Sequence, residues 1–222
     1  MSTGALFDLE PAGRREIAPG AVHVPGWLAP ARQRELVAAC REWARGPVPM
    51  RAAVLPGGHR MSVRTVCLGW HWRPYRYSRT ADDAGGARVA ELPGWLAELG
   101  RQAVADAYGG EAAARYAPDT ALVNFYDAAA RMGMHQDRDE RADAPVVSLS
   151  LGDSCVFRFG TPRGRGRPWT DVELASGDLF VFGGASRLAY HGVPKILPGT
   201  GSSDVGLAGG RLNLTLRETG LS

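Results

Sequence analysis

The first suggestion of chemistry lies in Met134-His135-Gln136-Asp137-Arg138-Asp139. Alternate side chains of an extended chain point the same way, so His135 and Asp137 can share one metal ion. His191 supplies a second imidazole near another short apolar run. Two imidazoles and one carboxylate on one face leave the opposite coordination positions open, as an iron(II) centre needs if it is to hold a co-substrate and oxygen together. Zinc would favour a closed or hydrolytic set. Taken alone, the His-x-Asp triplet reads more readily as a surface turn, and His191 alone is weaker still.

A third component narrows the reading. Arg211-Leu212-Asn213-Leu214-Thr215-Leu216-Arg217 alternates strictly, so one strand face carries Arg211, Asn213, Thr215 and Arg217 and the other carries three leucines. Two buried guanidinium groups require an anion, because unpaired buried charge is strongly disfavoured. A dicarboxylate suits two such forks. The competing reading is a last edge strand with a wet polar face.

The elements that must position these groups can be read from periodicity. Pro30 to Ala44 is expected as a helix, with Leu36, Val37, Cys40 and Trp43 on one face and Gly46 just past its end. A second helix is expected from about Pro93 to Tyr108, stopped by Gly109-Gly110. After Pro118 the texture changes to short apolar runs broken by Gly, Pro and Asp: Ala121 to Tyr126, Val146 to Leu151, Cys155 to Phe159, Val172 to Leu174, Leu179 to Phe182 and Leu212 to Leu216. Such runs argue an antiparallel sandwich or barrel. Thr161 to Pro168 and Pro198 to Gly210 read as loops. The plan is an α/β N-terminal part, residues 1–118, feeding a β-rich part, residues 119–222, in one compact unit.

At 222 residues the chain suits one core with an appended layer. Met1 to Gly20 lacks the apolar core of a signal peptide, and no stretch is long enough to span a membrane. Cys40, Cys67 and Cys155 are far apart and form no Cys-x-x-Cys pair, so a reducing cytoplasm is the expected compartment. A net charge of +3 tolerates a polyanionic partner without requiring one. No heptad pattern appears, and a monomer is expected.

Together the His-x-Asp pair, a remote His and the terminal Arg-x-Asn-x-x-x-Arg resemble the AlkB family of iron(II)- and 2-oxoglutarate-dependent dioxygenases. The resemblance continues in order through Pro56-Gly57-Gly58, Met61-Ser62-Val63, Leu68-Gly69-Trp70, Asn124-Phe125-Tyr126, His135 to Glu140, Val147 to Gly152, Phe157 to Gly160, Gly183-Gly184, Ser186-Arg187-Leu188 and Tyr190-His191-Gly192. It implies a double-stranded β-helix (jelly-roll) core with flanking helices and a nucleotide-recognition lid in the N-terminal part. It implies iron(II) on His135, Asp137 and His191, and 2-oxoglutarate on Asn124, Tyr126, Arg211, Asn213 and Arg217, with O2 as the other co-substrate. It further implies a substrate wall of Met61, Trp70, Tyr75, Arg76, Tyr77 and Asp139, with Arg163 of the arginine-rich loop on phosphate. The implied activity is oxidative dealkylation of bases of the 1-methyladenine and 3-methylcytosine type, that is, direct DNA repair. Alkylated single-stranded DNA is the implied partner, with duplex DNA or RNA as further candidates.

From the residues themselves, Trp70 to Tyr77 interleaves aromatics with arginines, which is either a base-stacking surface or ordinary core packing. Asp139 is either a carboxylate facing a cationic base or a solvated turn acid. His23, His59 and His71 are expected to be packing or surface residues. Two rival functions stand beside the first: a 2-oxoglutarate dioxygenase acting on RNA, protein or a small molecule, and a non-catalytic jelly-roll binding module.

Overall fold

Strands with one apolar and one polar face dominate the computed structural model, which describes residues 13–221. The N-terminal part contributes β1 (Arg15–Ala18), β2 (Ala21–Val24), helix α1 (Pro30–Ala44), β3 (Arg51–Val54) and β4 (Arg60–Leu68). A hairpin of β5 (His71–Arg73) and β6 (Arg76–Ser78) follows, then a small pair, β7 (Thr80–Ala81) and β8 (Ala87–Arg88), and helices α2 (Gly94–Tyr108) and α3 (Gly110–Arg115). Next come β9 (Thr120–Tyr126), β10 (Met132–His135), β11 (Val146–Gly152) and β12 (Ser154–Phe159). The chain ends with β13 (Thr170–Leu174), β14 (Leu179–Phe182), β15 (His191–Leu197) and β16 (Arg211–Arg217).

Two antiparallel sheets make the frame. The larger has the order β1-β2-β14-β11-β16-β9-β4-β3, the smaller β10-β15-β12-β13. Between them Phe157 and Phe159 of β12 pack on Phe180 and Phe182 of β14, with ring centroids 4.9 to 5.6 Å apart for three of these pairs. The outer face of the large sheet buries Leu212, Leu214 and Leu216 with Leu149 and Leu151 beneath Leu36 of α1 and Leu96 of α2. Each such leucine contributes about 1.5–3 kcal/mol on burial. This apolar layer fixes the register of β16 and turns its polar face towards the smaller sheet.

The jelly-roll expectation is therefore met, and both long helices form where periodicity placed them. Two details differ. Gly109, at φ +91°, breaks the helical path without ending it, because Gly110–Arg115 continues as a separate turn of helix. The segment Pro198 to Gly210 is not a plain loop, since Val205 in a short 3-10 turn is buried against α1. Strands β2 and β4 from the first 118 residues also pair directly with β14 and β9 of the rest.

Two glycines are demanded by the site. Gly69 turns the chain from β4 towards the β5–β6 hairpin at φ +75°, and a Cβ there would lie 2.0 Å from the Asp119 carbonyl oxygen. Gly192, beside His191, brings β15 so close to β10 that a Cβ would lie 2.7 Å from the Met132 carbonyl oxygen.

Candidate active site

His135 closes β10 and His191 opens β15, and the two are direct cross-strand partners. Asp137 follows two residues beyond His135. Each Nε2 lies 3.6 Å from a carboxylate oxygen of Asp137, and the three ligating atoms fall within 4.8 Å of one another. The Nδ1 atoms are 2.9 Å from the Gly133 carbonyl for His135 and 3.0 Å from the Ala189 carbonyl for His191. A carbonyl only accepts, so each Nδ1 carries the proton and each Nε2 presents a lone pair to the shared space. Asp137 Oδ2 is buried and makes no hydrogen bond, although Arg217 Nη2 sits 2.9 Å away as an ion pair. Two imidazole lone pairs and an orphaned carboxylate oxygen, converging with one side open to a cavity, fit iron(II).

The charge states suit that role. Burial would raise the Asp137 carboxyl, but Arg217, followed by the two imidazoles, pulls it down to about 2. Burial and the neighbouring His135 push His191 down to about 4 against the pull of Asp137, keeping its imidazole neutral and available.

The polar face of β16 lines a cavity of about 380 Å³ beside these ligands, together with Asn124 and Tyr126 of β9. Arg211 is only 1% exposed, and no carboxylate reaches it within ion-pair distance among the described residues. Its Nη2 donates to Ser150 Oγ at 2.8 Å, while its Nε is buried without a partner. Arg217 differs, because it lies between Asp137 and Glu140, 2.9 Å from an oxygen of each. Asn213 donates to Ser148 Oγ at 2.7 Å, and Asn124 accepts from Thr65 at 2.7 Å. A buried guanidinium without a counter-charge marks where an anionic ligand belongs.

Sequence reasoning left Glu140 and Arg187 without roles, although both lie in segments it singled out. Glu140 bonds Arg217 at 2.9 Å, Arg187 at 3.0 Å and the Tyr77 hydroxyl at 2.5 Å. Burial would raise its carboxyl, but Arg217 leads the groups that hold it below the ordinary value. Arg187 also donates to the Asp137 carbonyl at 2.5 Å and to the Ala144 carbonyl at 2.7 Å, gripping the main chain of a metal ligand. Tyr77 thus braces this network from the hairpin rather than facing the cavity. Tyr77→Phe removes the bond donated to Glu140 and a longer one accepted from Arg217 at 3.3 Å, and is expected to lower stability by about 1.5–3 kcal/mol. Denaturant titration checks it.

Of the residues expected on a substrate wall, Met61, Tyr75 and Asp139 line the cavity, with Tyr75 64% exposed at the hairpin turn and held at φ +75°. Arg76, Tyr77, Arg163 and Trp70 are not in the lining. Arg76 reaches outward, 3.6 Å from Asp82, and Arg163 is exposed; Arg165 of the same loop takes the lining position instead. Trp70 is 6% exposed, donates to Asp119 at 3.1 Å and has the Arg79 guanidinium 3.7 Å from its ring centre. Trp72 stands on the wall, its indole N–H bonded to Asp139 at 2.8 Å. The turn at Gly69 sets which tryptophan faces inward. Trp70→Ala is accordingly expected to remove about 3–5 kcal/mol of stability. Trp72→Ala should shift the melting temperature less and raise the KM for substrate, so thermal melts beside steady-state kinetics separate the two residues.

The remaining histidines keep to packing or surface roles. His23 is buried 2.9 Å from Asp178, His71 is buried 2.7 Å from Asp83, and His59 is exposed. Burial lowers His71, opposed by Asp83.

Comparison with known proteins agrees with this geometry. Residues 20–217 match the model of the 2OG-Fe(II) oxygenase superfamily. An alpha-ketoglutarate-dependent dioxygenase AlkB homolog from Caulobacter vibrioides is 41% identical, over 90% of this chain and 88% of its own. The Salmonella typhimurium alpha-ketoglutarate-dependent dioxygenase AlkB is 36% identical over 96% of each chain. An Arabidopsis thaliana protein named DNA N(6)-methyladenine demethylase ALKBH1D is 34% identical over 90% of this chain, which spans only 50% of that relative's length. The solved structure of OsALKBH1 superposes with a TM-score of 0.82 at 30% identity, covering 92% of this chain and 99% of that one. By its fold, its ligand set and these matches, the chain belongs to the 2OG-Fe(II) oxygenase superfamily and, within it, to the AlkB group.

Proposed function

We propose that this protein is an iron(II)- and 2-oxoglutarate-dependent dioxygenase that dealkylates nucleobases in DNA, preferring single strands and lesions of the 1-methyladenine and 3-methylcytosine type. The observation that carries the reading is Arg211, a buried, uncompensated guanidinium in the same cavity as the His135-Asp137-His191 triad. His135, Asp137 and His191 would hold iron(II), which with 2-oxoglutarate and oxygen would supply the oxidising chemistry for hydroxylation of a carbon attached to a base nitrogen, and loss of that carbon as an aldehyde would restore the base.

The chain's own residues do the positioning. Arg211 holds the co-substrate carboxylate remote from the metal ligands. Arg217 serves the end beside Asp137, already oriented by Glu140. Tyr126 and Asn124 close the sides. At the mouth Trp72 and Tyr75 offer stacking faces and Asp139 a negative charge, which favours a base made cationic by ring alkylation. A base must leave its stack to enter, and unpaired or damaged bases leave most easily.

RNA is the second reading, supported by the 38% identity of a Schizosaccharomyces pombe protein named tRNA demethylase abh1 over 36% of this chain. The buried, unbridged thiols of Cys40, Cys67 and Cys155 support a reducing cytoplasm as its place, and we assign it there as a monomer. Among the described residues no helix is long and apolar enough to cross a membrane.

The test incubates the protein with iron(II), ascorbate, 2-oxoglutarate and single-stranded DNA bearing one 3-methylcytosine, and follows oligonucleotide mass. Loss of the methyl group that requires 2-oxoglutarate is the expected result. An unchanged oligonucleotide beside succinate formation would sink the DNA assignment and turn the search to RNA and other substrates.

A further inference from the structure

Trp169 lies at the loop end immediately before β13, partly exposed and outside all three apolar clusters of the described residues. Its indole N–H makes no hydrogen bond among them. The groups on its ring are two guanidinium groups, Arg158 with its carbon 4.6 Å and Arg167 with its carbon 4.8 Å from the ring centre. Arg158 is fixed, because it pairs with Asp171 through two bonds of 2.7 Å each. Arg167 makes no hydrogen bond or close ion pair among the described residues and acts on Asp171 only through its charge at longer range, so it can swing from the ring.

This platform is attached to the cavity rim. The loop from Thr161 to Pro168 starts where Gln136, between two metal ligands, donates to the Pro162 carbonyl at 3.3 Å and Tyr190 donates to the Thr161 carbonyl at 3.2 Å. It returns at Pro168, whose carbonyl oxygen would lie 3.8 Å from a Cβ on Gly160, a site also bordered by Met134 and the Tyr190 carbonyl. Met134, Tyr190 and Arg165 all line the cavity. The loop carries Arg163, Arg165 and Arg167 and no acid, and the nearby Asp171 is neutralised by Arg158. The rim beside the platform is thus cationic, matched to phosphates.

We propose that Trp169, with Arg158 behind it and Arg167 as a movable cover, is a stacking platform for a base adjacent to the target base in a single-stranded nucleic acid. The inference rests on the nucleobase reading above. A tryptophan ring stacks any base, and arginine adds cation–π attraction, so the platform grips strand rather than sequence. It gives the enzyme hold on a neighbour of the lesion while the lesion itself enters the cavity.

The test is a double-mutant cycle between protein and strand. Nonamers with a central 3-methylcytosine, intact or lacking the base on the 5′ or the 3′ side of it, are titrated by fluorescence anisotropy into protein loaded with manganese(II) and 2-oxoglutarate. In wild-type protein, deleting one of the two neighbours should weaken Kd about fivefold or more, the lower range for base–aromatic stacking. Trp169→Ala should weaken the intact strand by a similar factor and make that deletion silent, and Trp169→Phe should restore most of the affinity. Additive losses with both deletions, or no loss in Trp169→Ala, overturn the platform while wild-type demethylation of the intact nonamer keeps the enzyme reading. Failure of wild-type protein to bind or demethylate any of these strands overturns both.

Discussion

Arg211→Met is expected to stabilise the metal-free protein and to cripple its use of 2-oxoglutarate. The guanidinium is 1% exposed and holds one hydrogen bond to Ser150, a marginal one of 3.5 Å to the Leu174 carbonyl and a buried Nε with none. Without its anionic ligand the fold carries the desolvation of a full charge. Replacing buried ionic groups by apolar side chains of similar length is often stabilising by about 1–4 kcal/mol. Taking about 1 kcal/mol, the melting temperature of a chain this size should rise by about 2–4 °C. In the same variant the ligand loses charge-assisted hydrogen bonds worth about 1.5–3 kcal/mol, so the KM for 2-oxoglutarate should rise by about ten- to a hundredfold. A melting temperature that falls sharply while KM holds would show that Arg211 serves packing and not the co-substrate.

Asp137→Ala should abolish turnover. Removing an outer partner of a metal ligand costs about 10–100-fold, and the ligand itself must exceed that. Anaerobic iron(II) with 2-oxoglutarate should give a visible absorption band in the wild type and none in the variant. The fold should survive, because Arg217 keeps its bond to Glu140 at 2.9 Å. Asp137→Asn sharpens the test through pH. The folded carboxyl, pulled down to about 2, contributes stability above the unfolded value of about 3.9 and loses it as pH falls through its folded value. Metal-free wild type should therefore weaken between about pH 4 and 2 more steeply than Asp137→Asn. Wild-type turnover in Asp137→Ala would overturn the metal assignment.

What the sequence disclosed, and what it did not, follows from the range of each interaction. The triad and the face of β16 were legible because strand alternation is local: His135 and Asp137 are two residues apart, and the leucines of β16 declare its buried side. Helix α1 declared itself through Pro30 and its apolar stripe. The choice between Trp70 and Trp72 was hidden, because the chain reorients at Gly69 and only the Asp119 carbonyl pressed against that glycine reveals how far. The role of Glu140 was hidden because its partners Tyr77 and Arg217 are 63 and 77 residues away. The pairing of β2 with β14, which brings His23 to Asp178 across 155 residues, leaves no local trace either. Trp169 was missed because it sits at a loop end, where period-two alternation has not begun.

Strand β10 lies at the edge of the smaller sheet, with β15 as its one neighbour and an irregular register between Met132 and His135. An ion held by His135 and His191 would rivet that loose margin to the body of the sheet from both sides at once. Metal supply would then govern more than turnover. Amide hydrogens of Met132 to His135 should exchange slowly in loaded protein and quickly after chelation, while those of β11, buried in the middle of the larger sheet, stay protected in both states. Iron starvation would leave this margin as the first place for a protease to enter.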